Sequence, residues 1–192
     1  MNNNVERLRI AMVEDAVAGW NYLLQKGFAL EAVSGMSMRL FLREILGFDD
    51  NYIDTTVRTI FLNNSPVDDL ETAKINDGDR IALGSAMPGL VGIVMGRNNP
   101  YKSFRSDISV REGSFSINEV PAIVSVKIFS TLAVESGRDL LRRGILVDAN
   151  MLASFLIDKK AQIVEADEVD ADTILAKLEA MSGNIPISVE FV

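Results

Sequence analysis

The chain has 192 residues, 48% of them hydrophobic and 24% charged, a balance that suits a folded globular protein and argues against wholesale disorder. It contains no Cys and no His, which excludes thiol nucleophiles, disulfides, Cys/His zinc sites, Ser-His-Asp triads and any imidazole acid or base. With 19 bases against 27 acids the net charge is −8, so binding along a phosphate backbone is disfavoured unless the bases gather in one patch.

Met1-Asn2-Asn3-Asn4 opens the chain without a basic, apolar leader, and the expectation is a soluble cytoplasmic protein. Leu8, Ile10 and Met12 alternate with charged or small residues, the period of a strand. From Glu14 to Lys26, Val17, Trp20 and Leu24 fall at helical spacing. Acids lead this stretch and Lys26-Gly27 closes it, as a helix dipole and a glycine cap require. Met38, Phe41, Leu42, Ile45 and Leu46 form the apolar stripe of a second helix, with Ser37 able to cap it and Gly47 to stop it. A strand rich in β-branched residues is then expected from Thr55 to Leu62. Asn63-Asn64 tolerates the positive φ of a tight hairpin turn into a short return strand at Pro66-Val67. Pro66 has no N–H to give a ladder, which puts that return strand at a sheet edge. Asn76-Asp77-Gly78-Asp79 is a second turn, leading into the strand Arg80 to Leu83. Phe41, Ile45, Ile60, Leu62 and Ile81 are expected in one core.

Glycines at 84, 89, 92 and 96 punctuate the next, apolar run. It lacks the spacing and the Lys-Ser/Thr pair of a phosphate cradle, so packing is the better reading. Leu90, Val91, Ile93, Val94 and Met95 are too large an apolar load to leave in water, and the glycines let another backbone come close. Burial of Ala86 to Gly96 against protein is therefore expected, within the chain or across a two-fold homo-oligomer. Met87, Leu90, Val91, Ile93, Val94 and Met95 are the interface candidates. The passage Ile81 to Met95 falls short of the roughly 20 residues needed to cross a bilayer, and no membrane partner is expected.

Residues 97–112 change character and read as a basic segment connecting an N-terminal half, 1–96, to a C-terminal half, 113–192. Arg97, Lys102 and Arg105 interleave with Tyr101 and Phe104, the ingredients of an anion or single-stranded nucleic-acid site, and are the ligand candidates. The overall acidity favours a solvated linker whose bases pair with the acidic C-terminal half, so nucleic acid is not the expected partner. Beyond it come a strand at Ala122–Phe129, a helix at Val134–Arg143 and a short strand at Ile145–Val147. A helix capped by Asp148 runs through Ile157, a strand follows at Gln162–Glu165, and Asp170 caps a helix to Met181. Ile185–Phe191 is a closing strand. Together these give a mixed α+β fold whose C-terminal half alternates strands and helices in the manner of an α/β layer.

One stretch carries a family resemblance. The strand Val57–Leu62, the turn Asn63-Asn64-Ser65-Pro66-Val67 and the strand entry Ile75-Asn76-Asp77-Gly78-Asp79-Arg80-Ile81-Ala82-Leu83 follow a helix ending at Leu46-Gly47. Residues from about 35 to 90 in this order resemble the second half of a ubiquitin-like β-grasp domain. They are most similar to the small sulfur carriers, the molybdopterin-synthase small subunit and the thiamine sulfur carrier. The resemblance implies a first hairpin before the helix, which Phe28–Val33 is the one stretch placed to supply. The Gly-Gly end that those carriers activate has no counterpart: Ala86-Met87-Pro88-Gly89-Leu90 stands there, and the chain closes Val189-Glu190-Phe191-Val192. The resemblance is thus one of fold without carrier chemistry.

The acidic clusters read as structural. Asp167 to Asp172 with Glu179 approaches a calcium-loop pattern, but Thr173 occupies the place of its turn glycine, and Asp170 serves better as a helix cap. Asp49-Asp50 and Asp68-Asp69 are adjacent pairs without a partner base nearby in sequence. No metal, cofactor or catalytic group is expected. The favoured function is a non-catalytic interaction protein that works through its surfaces, on itself or another protein. The alternatives are an enzyme or small-ligand binder using carboxylates and Arg/Lys between the halves, and an inert relative of the sulfur carriers that docks on a carrier-handling enzyme.

Overall fold

The computed structural model describes residues 7–105, 107–110, 120–164 and 170–192. The fold is mixed α+β, as the patterning implied. It has two compact units, one contiguous from residue 30 to 133 and one assembled from 1–29 with 134–192. The sequence-expected boundaries at 96 and 113 both fall inside the contiguous unit.

In the contiguous unit the strand order is β4-β3-β5-β6-β2. These are β2 (Phe28–Val33), β3 (Thr59–Leu62), β4 (Ser65–Pro66), β5 (Arg80–Gly84) and β6 (Pro121–Ile128). Asn63 and Asn64 take φ of 52° and 69°, the positive values a tight β3–β4 turn needs, and Pro66 lies at the edge. β5 runs antiparallel to β3, with Ile60 opposite Leu83, and parallel to β6, with Ile81 opposite Val126. The helix after β2 begins as α2 (Met38–Leu40), its N-terminus capped by Ser37 Oγ, which accepts from the Leu40 N–H. It continues as a π-helical turn, Phe41–Ile45. Met38, Phe41, Leu42 and Leu46 from this helix are buried, as are Ile60, Leu62, Ile81 and Leu83 from the sheet; Ile45 is half-buried.

The other unit orders its strands β7-β9-β1-β8. They are β1 (Leu8–Met12), β7 (Ile145–Asp148), β8 (Ile163–Val164) and β9 (Asn184–Phe191). β1 and β9 pair in parallel from Leu8↔Ile187 to Met12↔Phe191, while β7 and β8 join antiparallel. Its helices are α1 (Val17–Lys26), the greater part of α5 (Ser130–Arg143), α6 (Ala149–Ile157) and α7 (Ala171–Glu179). Asp148 and Asp170 cap α6 and α7 by accepting from the Met151 and Thr173 N–H groups, at 3.0 and 2.7 Å. Asp170 thus acts as the helix cap expected of it; residues 167–169 of the calcium-like pattern lie outside the described residues.

Three expectations are corrected. The strand expected from Thr55 starts at Thr59, because Asp50–Thr55 is a helix, α3. Asp49 caps it by accepting from the Tyr52 N–H at 2.8 Å, and Ile53 fills its buried side, so β-branched residues here serve a helix. No hairpin precedes the helix among the described residues: the neighbour of β2 in this unit is β6, from its far end. Finally, Gly89–Met95 is a helix, α4, and its large side chains are not buried within the chain.

Candidate interaction surface

α4 has its polarity inverted. On a helix of 3.6 residues per turn, Leu90 stands nearly opposite Gly92, with Val91 and Ile93 about 100° to either side of the glycine. The chain buries the glycine and exposes the other three, Leu90 to 74%. The inward face is closed so tightly that a Cβ on Gly92 would meet the Met87 carbonyl carbon at 2.6 Å. Glycine therefore seats the helix against its own approach loop and leaves Leu90, Val91 and Ile93 outward, with Val94 and Met95 half-buried. A 3-10 turn, Lys102–Arg105, packs on α4 and adds Tyr101 and Phe104, the latter 82% exposed, with ring centroids 6.4 Å apart.

Met87, Leu90, Val91, Ile93, Tyr101, Phe104 and Ile108 are all exposed on this one short stretch. So many large apolar side chains left exposed within one short stretch are the kind of load that marks an interaction surface.

Two buried arginines hold the platform in place. Arg97, 3% exposed, donates from Nη2 to the carbonyls of Ile53 (2.6 Å) and Val57 (2.8 Å), and its backbone N–H reaches Arg58 O at 2.7 Å. It thereby satisfies the end of α3, where carbonyls lack helical partners. Burial pushes its pKa below the ordinary arginine value, with the Asp54 charge acting in the opposite sense. Arg105, equally buried, makes a two-pronged pair with Asp68, at 2.9 and 2.8 Å. Its Nε donates to Val94 O at 2.6 Å and its Nη2 to Gly96 O at 3.2 Å, so one guanidinium ties the end of α4 to the loop after β4. Asn99 Nδ2 adds donations to the carbonyls of Val94 and Gly96.

The same unit holds a groove of about 1080 Å³. Val33, Met36, Leu40, Ile45, Pro121 and Ile123 give it apolar walls; Glu31, Glu44, Asp77 and a single Lys74 bring charge to it. Asp77 helps shape the wall, its Oδ1 accepting from the Ile123 N–H at 2.8 Å.

The interface candidates thus divide. Met87, Leu90, Val91 and Ile93 are exposed together, while Val94 and Met95 are half-buried. The ligand candidates are not brought together as a site: Arg97 and Arg105 are committed to internal acceptors, and Lys102 is exposed. The expectation of a solvated basic linker fails for these two arginines because their partners, backbone carbonyls and Asp68, leave no sign of pairing in the local sequence. Asp50 and Asp68, which have no base nearby in sequence, find one in the fold: Asp50 lies 3.0 Å from Arg39, and Asp68 pairs with Arg105. Tyr101 and Phe104, expected in an anion or nucleic-acid site or a solvated linker, are exposed beside α4 instead; the groove residues carry no expectation from the sequence. Among the described residues no helix is long and apolar enough to cross a membrane. No family model matches the chain, and no curated protein or solved structure matches it either.

Proposed function

We propose that the protein is a non-catalytic interaction module that works through the α4 platform and pairs with a second copy of itself. The observation that carries this reading is the inverted helix: glycine inward, Leu90, Val91 and Ile93 outward, on a backbone fixed by Arg97 and Arg105. Exposing aliphatic side chains costs about 1.5–3 kcal/mol each relative to burying them, and a rigidly held backbone cannot hide them by local collapse. The carboxylates with shifted pKa values also support a structural chemistry. Asp54 is lowered by its hydrogen bond to Arg39, and Asp69 by the backbone N–H groups of Glu71 and Thr72. Neither is raised as a general acid would be.

The strand order of the contiguous unit supports the ubiquitin-like reading of residues 35–90, with the partner of β2 delivered by β6 after the helix instead of before it. Cytoplasmic residence belongs to the same proposal. Sedimentation velocity at micromolar concentration tests it: the wild type is expected at twice 21.1 kDa, and Leu90→Glu/Val91→Glu at the monomer mass. A wild-type monomer, indifferent to those substitutions, overturns the reading.

A further inference from the structure

We propose that the groove beside α2 receives an extended segment of a protein partner, added as a strand to the free edge of β2. None of the groove's lining residues belongs to α4 or to the turn packed on it, so the two surfaces stand or fall separately. Successive N–H groups of a strand point to opposite edges. In β2 one set faces β6, and in register with it the Ser34 N–H donates to Val120 O at 2.9 Å. The other set faces away, and there Ala29 pairs with Leu146. Beyond Ala29 that edge has no neighbouring strand among the described residues. The N–H and C=O of Glu31 and the N–H of Val33 are left without a backbone partner there, while the Val33 carbonyl accepts from the Met36 N–H. The far edge of the same unit is guarded: β4 is two residues long, and the Val110 N–H donates to Pro66 O at 3.0 Å.

The groove runs beside the bare stretch. Glu31, Ala32 and Val33 form one wall, and Leu40, Glu44 and Ile45 from the helix form another. A strand edge with pockets beside it captures extended peptides: main-chain hydrogen bonds give affinity and alternate side chains give specificity. An added strand places every second side chain on the face of Glu31 and Val33, both exposed, and the others toward Leu40 and Ile45. Glu31 sets the charge. Asp77 is engaged by the Ile123 N–H at 2.8 Å and Glu44 by Arg43 at 3.0 Å, whereas Glu31 has no ion pair among the described residues. Lys74, the lone base of the lining, stands opposite Ser37 and not on β2. The partner residue opposite Glu31 is therefore Lys or Arg, and the residue two places along, against Val33, is apolar.

The probe is a displayed library of random twelve-residue peptides, selected on the whole chain and then titrated as synthetic peptides. Selected peptides are expected to carry Lys or Arg with an apolar residue two places away. They should shift the amide resonances of Glu31, Val33 and Leu40 and leave those of Leu90 and Val91 in place. Methylating the peptide nitrogens on the edge that meets β2 is expected to weaken binding by about tenfold or more, and methylating the intervening ones to change it little. Glu31→Lys, at an exposed position, is expected to weaken the same peptides and to select acids in place of bases. Peptides that bind on α4, bind as helices, or tolerate methylation on both edges overturn the proposal. So does a selection that yields no Kd below about 100 μM. If the Glu31 and Val33 resonances of the chain alone move with its concentration, the occupant is a second copy and the foreign partner is refuted. Should Glu31→Lys melt well below wild type, the methylated peptides decide, since they leave the protein unaltered.

Discussion

Replacing Asp68 with Asn removes one charge from a pair whose other member is almost wholly buried, with little change of shape. Arg105 is 3% exposed and meets the two Asp68 carboxylate oxygens at 2.9 and 2.8 Å. Breaking a fully buried pair costs about 3–5 kcal/mol, because the remaining charge is stranded away from water. Two features reduce that figure here. The Asp68 side chain is 29% exposed, so water replaces part of what is lost, and Arg105 keeps the Val94 and Gly96 carbonyls and Ser109 Oγ. The expected loss is therefore about 2–3 kcal/mol, the worth of one or two charge-assisted hydrogen bonds. For a chain of this length that lowers the melting temperature by about 5–10 °C. Thermal unfolding followed by circular dichroism reads it, and hydrogen exchange should show the amides of α4 losing protection first. Glu14→Gln, at the exposed pair with Arg138, is the control and should shift melting by no more than about 1–2 °C. Equal, small shifts for both variants would refute the anchoring argument and return Arg105 to the status of a solvated linker residue.

Gly92→Ala tests the inward face of α4. Helix propensity alone would favour Ala by about 1 kcal/mol, but its Cβ would meet the Met87 carbonyl carbon at 2.6 Å and Met87 Cβ at 2.7 Å. A net loss of about 1–2 kcal/mol is expected in thermal melts, since overpacking of this kind outweighs propensity; a gain in stability would show the seat to be loose. The pH dependence should be confined to acid. Asp54, Asp69 and Asp170 have folded pKa values below the ordinary one, held down by Arg39 and by backbone N–H groups. Their contribution is full above the unfolded carboxylate pKa, near 4, and is lost as pH falls through the lower folded values. With no His to titrate, melting temperature should be flat between about pH 5 and 8, and a step within that window would contradict the assignment.

Local chemistry was legible and distant pairing was not. Asn63-Asn64, Asp148 and Asp170 announce a turn and two helix caps because the acceptor and the N–H it serves lie within three residues of each other. The helix Asp50–Thr55 escaped because Tyr52, Ile53, Thr55 and Thr56 look like strand; what decides the matter is the Asp49 cap and the burial of one side chain, Ile53. Arg97 and Arg105 were misread for a different reason. A buried arginine differs from a solvated one only in what surrounds it, and here that is carbonyls 40 and 44 residues earlier for Arg97 and a carboxylate 37 residues earlier for Arg105. The apolar load at 87–95 was legible as a surface or core element, but only the placement of Gly92 against Met87 fixes which way it faces.

The unit built from residues 1–29 and 134–192 has a consequence for synthesis. β1 leaves the ribosome about 170 residues before β9, the strand it pairs with in parallel: Leu8 waits for Ile187. Residues 30–133 form a contiguous unit and can fold while translation continues. At a rate of about 5–20 residues per second, β1 and α1, with Trp20 and Leu24 that end up fully buried, stay without their final partners for on the order of 10 s or more. That interval is when a nascent-chain chaperone would find this protein, and the sticky segment it would hold is β1 with α1.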